Sequence, residues 1–411
     1  MSSDGVESVL SRRSFVKGAA AAAFTAGPPG RAMQASGERR QMLAYVGTYT
    51  GNVGGGSNGD GIYRFTMNPL TGELSQSKLV AKSPDPSWIT IHPSKRFLYA
   101  ANEVSDYEGN SGSVSAFAID ETSGDLTALN VVGSEGAGPC YLSTDALGKH
   151  LFVANYGGGT IAVLQIDGRG LLGKAVSVHQ DSGHLGGTQA TDATQGSYGV
   201  SGHDAPHAHT ILPDPQGRFV LATDLGQDRI YAYKVDKSTG AVALTEGMIA
   251  ASLPSGDGPR HLAFHPNGRW LYSIQEEAST VTLFDYDPMQ GTLALRQSLS
   301  SLPKGFAGTS FASEILIAPD GKFLYGANRL HDTIATFAIG AEGRLTWVGE
   351  TATMGDYPGQ CRIDPSGSFL YACNRRSDSI TCFSIHRATG LLTFTGQYTA
   401  VGSPASITFL S

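Results

Sequence analysis

Charge is scarce in this chain. Only 16% of its 411 residues are Asp, Glu, Lys or Arg, and the net charge is −7 with an isoelectric point near 5.9. A surface without a basic excess does not suit a nucleic-acid backbone, so a nucleic-acid partner is excluded. Cysteine is scarcer still. Cys140, Cys361, Cys373 and Cys382 match no zinc or redox spacing. Buried free thiols are therefore expected, because neighbouring antiparallel strands rarely offer disulfide geometry, although an exported location would permit disulfides. No serine stands in a G-x-S-x-G setting, which removes the nucleophile-elbow esterases. Long apolar runs are also missing: the run Gly18 to Ala26 is too short to span a bilayer.

The residues before that run carry a signal of their own. Ser11-Arg12-Arg13-Ser14-Phe15-Val16-Lys17 followed by an apolar stretch is the pattern of a twin-arginine signal peptide. Residues 1–35 are read as that signal, with the twin-arginine export machinery as a partner and a periplasmic or secreted destination. Ala26 and Ala35 are candidate cleavage positions.

What is plentiful is glycine, 53 residues of it, distributed over a repeat. An apolar run, a Pro/Gly turn and an aromatic and aliphatic run ending in a polar pair recur as PSWITIHPSKRFLYAANE, PCYLSTDALGKHLFVANY, PHAHTILPDPQGRFVLATD, PRHLAFHPNGRWLYSIQE, FASEILIAPDGKFLYGANR and PGQCRIDPSGSFLYACNR. The turn residues Pro93, Ala146, Pro215, Pro266, Pro319 and Pro365 lie 53, 69, 51, 53 and 46 residues apart. A period near fifty with several strands per unit indicates a propeller. The last segment, SPASITFLS, is one strand of a further unit, and LAYVGTY, GIYRFTMN and LSQSKLV supply its other three. The fold class is thus all-β: residues 36–411 form a single seven-bladed β-propeller of four-stranded antiparallel blades, its ring closed by the N- and C-terminal strands in one blade. Such closure leaves no free sheet edge.

The long interval falls at 179–204, rich in Gly, Ser, Thr and Asp, and reads as an inserted loop. It carries His179, His184 and His203 towards His207 and His209, but no carboxylate or cysteine stands at zinc-ligand spacing, so no metal site is expected and a substrate-covering loop is.

Topology predicts where a site sits. In a four-stranded blade, the start of the first strand and the end of the second emerge on the same face, while the Pro/Gly turns lie opposite and are accounted for by turn geometry. The site face then collects His207, His209, Arg260, His261, Glu314, Gln360 and Arg362 from first strands. Second strands add Asn102, Glu103, Asn155, Asp224, Glu276, Glu277, Asn328, Arg329, Asn374 and Arg375. The asparagines are expected to cap the loops between second and third strands through local bonds to backbone. The acids, bases and arginines that differ between blades suit lactone chemistry: a His or Glu to activate water, and arginine to hold an anion or stabilise an oxyanion. Structural salt bridges, or a non-enzymatic envelope binding propeller, are the alternatives.

PHAHTILPDPQGRFVLATD, GPRHLAFHPNGRWLYSIQEE and SEILIAPDGKFLYGANR resemble blades of the seven-bladed lactonase family, which includes propeller-type 6-phosphogluconolactonases and the carboxy-cis,cis-muconate cyclase, over about residues 42–411. The resemblance implies metal-free and cofactor-free opening of a small-molecule lactone, or its formation in the cyclase case. It implies catalytic roles for His209, Glu276 and Arg260, with Glu277 the register alternative. His207, His261, Glu277, Glu314, Arg329, Gln360 and Arg362 are the expected substrate-binding residues. The family substrate, 6-phosphogluconolactone, sits uneasily with export, which favours a non-phosphorylated lactone.

Overall fold

The computed structural model describes residues 42–411, apart from 52–56, 195, 201, 237–242 and 245–246. The segment read as a signal peptide, 1–35, lies outside the described residues. Seven antiparallel sheets follow one another as blades. Blade 1 joins the last strand, Pro404–Leu410, to Met42–Thr48, Ile62–Met67 and Leu74–Ala81, with Tyr45 facing Thr408 across the closure. Blades 2 and 3 begin on inner strands Pro86–Ile91 and Pro139–Thr144, blade 4 on Ala208–Pro213 and blade 5 on Pro259–Phe264. Blades 6 and 7 begin on Phe311–Ile317 and Pro358–Ile363. Blade 4 carries an additional two-residue strand, Ala243–Leu244, on its third strand.

The Pro/Gly segments close first and second strands as i to i+3 turns. Gly148, Gly217, Gly268, Gly321 and Gly367 donate to the carbonyls of Asp145, Asp214, His265, Ala318 and Asp364, with φ between 62° and 72°. That left-handed backbone is why glycine recurs at this turn position.

Seven apolar clusters fill the seven blade junctions, for example Tyr272, Ile274 and Leu283 of blade 5 against Ile315, Leu324 and Phe337 of blade 6. The tyrosine of the repeated FLY and LAY runs crosses each junction it occupies. Tyr45, Tyr99, Tyr272, Tyr325 and Tyr371 are buried, and their hydroxyls donate to the carbonyls of Gly124, Gly170, Gly343, Gly390 and Gly72 in the following blade. Blades 3 and 4 place Phe152 and Leu221 there instead. At those two junctions other tyrosines take over: Tyr233 donates to Asp181 Oδ1 and Tyr286 to Asp214 Oδ2.

Each second strand carries a polar residue with no exposed surface: Thr48, Asn102, Asn155, Asp224, Gln275, Asn328 and Asn374. The asparagines do not cap the following loop, as expected from sequence. Asn102 Nδ2 donates to Ser113 and Ser115, Asn155 Nδ2 to the Ser134 carbonyl and Thr160, and Asn328 Nδ2 to the Ser301 carbonyl and Thr333. They tie the second strand to the third and to the segment arriving from the previous blade, because at full burial their donors must find protein partners.

The inserted segment is tied to the blades it passes. Gly186 and Gly187 donate to the Gly226 carbonyl and Ser255 Oγ, Thr194 pairs with Ser300, and Ser197–Tyr198 runs parallel to Gly308–Thr309. It is bound down along blades 4 to 6. Its histidines disperse: His184 is exposed, His179 bonds the Leu244 carbonyl and His203 is buried against Asp228.

Asp224 does not face the channel either. Its Oδ1 accepts from His207 N and Gln227 N, and its carboxyl hydrogen bonds to Asp181. Two buried carboxyls in contact must share a proton, and burial first, with mutual repulsion at Asp181, raises both pKa values. A raised folded-state pKa contributes stability below the unfolded value of about 3.9 and loses it progressively as pH rises above that value. Asp181→Asn is therefore expected to flatten the loss of stability between about pH 4 and about pH 8, measured as denaturation midpoints.

Candidate active site at the mouth of the channel

Two positions in each blade build the site. Each inner strand carries a register shift beside its first residue, at Pro86/Trp88, Pro139/Tyr141, Ala208/Ile211, Pro259/His261, Ala312/Ile315 and Pro358/Gln360. The extra residue is a β-bulge, which re-aims a side chain out of the pleat. Ser87, Cys140, His209, Arg260 and Gly359 occupy these bulges and line one cavity. The second position directly follows the buried polar residue of the second strand. It supplies Tyr49, Glu103, Tyr156, Glu276, Arg329 and Arg375 to the same cavity. Trp88, His261, Tyr357 and Gln360 complete much of the wall. The volume is about 190 Å³. Ligand pockets commonly run from roughly 300 Å³ upward, so this one suits a single small ring.

Its centre is an ion cluster. Glu276 Oε2 lies 2.9 Å from Arg260 Nε and 2.6 Å from Arg329 Nη2. Backbone bonds from Glu276 N to the Gly258 carbonyl and from Ala312 N to the Glu276 carbonyl hold it between blades 5 and 6. Burial works against the Glu276 charge, but Arg329 and Arg260 outweigh it and keep its pKa below the ordinary value. Arg329 Nη2 also donates to the Ala312 carbonyl and Nη1 to Tyr357 Oη, and burial notwithstanding, Glu276 keeps it charged. Arg260 Nη1 bonds the Ser313 carbonyl and meets His261 Nε2 at 3.2 Å, while His261 Nδ1 lies 2.9 Å from Glu314 Oε1. A guanidinium on one ring nitrogen and a carboxylate on the other define a neutral imidazole with its proton on Nδ1, consistent with a pKa lowered by burial despite Glu314.

His209 stands beside His261, ring centroids 5.0 Å apart, and edge-on to Tyr156 at 5.6 Å. Burial, then the charges of Arg260 and Arg329, push its pKa well below the ordinary histidine range, so it is neutral at working pH. The Cys140 thiol donates to the His209 carbonyl at 3.4 Å, and burial drives its pKa up, which leaves no thiolate nucleophile. On the opposite wall Tyr49 Oη donates to Glu103 Oε2 at 2.9 Å, and Arg375 lies 3.9 Å over the Tyr49 ring. Burial raises the Glu103 pKa, against the lowering pull of the Ser87 and Tyr49 hydroxyls, Arg375 and Arg260.

Of the residues expected from sequence, His209, Arg260, His261, Glu276, Arg329 and Gln360 line the cavity. Four do not. His207 stacks on Tyr156 at 4.2 Å and bonds the Tyr156 carbonyl and Asp204, so it positions the wall from behind. Glu277 turns away to 3.9 Å from His203, Glu314 lies behind His261, and Arg362 is exposed at the far end of its strand. Glu103 and Arg375 stood on the expected face without a role. Tyr49, Tyr156, Tyr357 and Trp88 were missed; superposing the seven repeats on their buried polar residue would have found Tyr49 and Tyr156. Among the described residues, no three His, Cys, Asp or Glu side chains gather to hold a metal ion.

Fold and site together define a β-propeller whose channel mouth gathers two arginines, a carboxylate and a neutral histidine around one small cavity. The chain belongs to the seven-bladed β-propeller lactonase family, whose model matches residues 43–409. It is 34% identical over 319 residues to the 6-phosphogluconolactonase of Bacillus subtilis, covering 77% of this chain and 84% of that one. Among solved structures it is similar to the periplasmic gluconolactonase of Pseudomonas aeruginosa, with 28% identity, a TM-score of 0.78 and coverage of 90% of this chain and 99% of the other. A protein from Lactobacillus plantarum gives the same TM-score at 27% identity, with coverage of 90% and 100%.

Removing the carboxylate at the centre would leave two guanidiniums buried side by side. Glu276→Ala is expected to destabilise the protein by about 3–5 kcal/mol, and Glu276→Gln by less, because the amide still accepts from one arginine. Denaturant unfolding of both variants measures this.

Proposed function

We propose that the protein is a metal-free hydrolase that opens a sugar-derived aldonolactone after export by the twin-arginine route. The carrying observation is the Arg260, Glu276, Arg329 cluster beside neutral His209 in a cavity sized for one ring. Hydrolysis of a lactone develops negative charge on the carbonyl oxygen, and a guanidinium held rigidly at that oxygen stabilises it without reorganisation. Arg260 is aligned for this by Glu276, Ser313 and His261. Arg329 and Gln360 bind substrate hydroxyls, and His209 orients the attacking water. Glu276 acts as the anion that aligns both arginines, since two guanidiniums hold it in its ionised form.

A non-phosphorylated lactone is the favoured substrate. Two of the three arginines in the wall are already paired with Glu276, whereas a dianionic phosphate calls for several uncommitted donors. The twin-arginine segment and the name of the Pseudomonas relative agree with a sugar lactone met outside the cytoplasm.

The test titrates the acid released from glucono-δ-lactone and from 6-phosphogluconolactone by the purified protein, in EDTA. Acid release above the spontaneous rate, unchanged by EDTA and faster with the unphosphorylated substrate, is expected. Arg260→Lys should lower kcat/KM by about 100-fold with folding retained. Spontaneous rates with both substrates would refute the hydrolase reading, and loss of activity in EDTA would refute its metal-free character.

A further inference from the structure

Two carboxylates reach the cavity from equivalent positions, Glu276 of blade 5 and Glu103 of blade 2. Only three blade steps of seven separate these blades in one direction and four in the other, so the two groups approach a ligand from nearly opposite sides. Their surroundings differ in kind. Glu276 is held by two guanidiniums at ion-pair distance. Glu103 accepts from the Tyr49 hydroxyl on Oε2, and the Ser87 hydroxyl beside it also favours the charged form. Arg375 is stacked on the far side of that tyrosine, Arg260 acts on Glu103 from across the cavity, and Cys140 faces it from blade 3 with its thiol protonated.

We infer that Glu103 is the proton-transfer residue of the site, placed to take a proton from water on one side of the lactone while Arg260 holds the carbonyl oxygen on the other. This inference rests on the lactonase reading. The step balances. The Glu103 carboxylate removes a proton from water as the water oxygen bonds to the lactone carbonyl carbon. The bond from that carbon to the ring oxygen then breaks, and the ring oxygen leaves with the proton returned by Glu103. The product is the open hydroxy acid, which ionises in solution.

The contrast between the pair supports the assignment. Where neighbours push two carboxyls in opposite directions, the one pushed up is suited to exchange protons and the one pushed down to stay charged. Burial raises Glu103, while the arginines lower Glu276. His209, whose pKa burial and the charges of Arg260 and Arg329 push well below the ordinary histidine range, is poorly suited to that role.

Glu103→Gln keeps the shape and removes the proton exchange. Its kcat on glucono-δ-lactone is expected to fall by about 100-fold or more with KM within about threefold, and its thermal midpoint should match or exceed that of wild type. Because Glu103 must be ionised to act, wild-type kcat should decline as pH falls through a value above the usual carboxylate range, and that limb should be absent in Glu103→Gln. Tyr49→Phe removes a bond that favours the ionised form, so its acid limb should move to higher pH. A Glu103→Gln protein with kcat within about threefold of an active wild type, or a Tyr49→Phe limb that does not move, would overturn the assignment alone. A wild type inactive on aldonolactones would instead remove the lactonase reading, and this inference with it.

Discussion

The junction between blades is the constraint on which everything else in this molecule depends. A single four-stranded blade cannot bury its faces, and a ring of them is stable only when every junction is filled and the last blade closes on the first. Here the junctions are registered by a buried tyrosine whose hydroxyl finds a glycine carbonyl one blade on. Each such bond contributes about 1 kcal/mol net, but leaving the buried hydroxyl unpaired would cost more, so the contact selects one alignment of neighbouring blades. The two junctions without it lie where the chain inserts its long segment, and there Tyr233 and Tyr286 turn to aspartates instead.

Junction register determines what reaches the channel mouth. The buried polar residue of each second strand is committed to the frame, so the next residue is released to face the cavity. The bulge in the inner strand releases a second one. Each blade can therefore present different chemistry at two positions while keeping its packing, and the ring sums these contributions: aromatic walls from blades 1 and 3, acids from 2 and 5, arginines from 5, 6 and 7. The functional reading grows from this division between frame and cavity positions, since variation at frame positions would open a junction.

Much of this was legible in the chain itself. The repeat announced the blade number, the odd terminal strand announced the closure, and topology separated the structural turns from the site face. His209, Arg260 and Arg329 were recognised because a repeated frame has no use for residues that differ from blade to blade. Tyr49 and Tyr156 were missed because tyrosine also serves the junctions, and its two uses look alike in a linear pattern. The polar, glycine-rich composition of 179–204 signals a loop without saying what it rests on; its bonds to blades 4 to 6 supply that.

The sequence by itself therefore determined the architecture and the face, because both follow from periodicity and strand direction, which are local properties repeated along the chain. Only the tertiary structure decided between Glu276 and Glu277, since one residue of register sends a side chain either into the cavity or towards His203. It alone showed Arg260 and Arg329 sharing one carboxylate, and Glu103 set apart from them against Tyr49. Charge pairing and burial depend on distances between blades, and those distances exist only once the ring has closed.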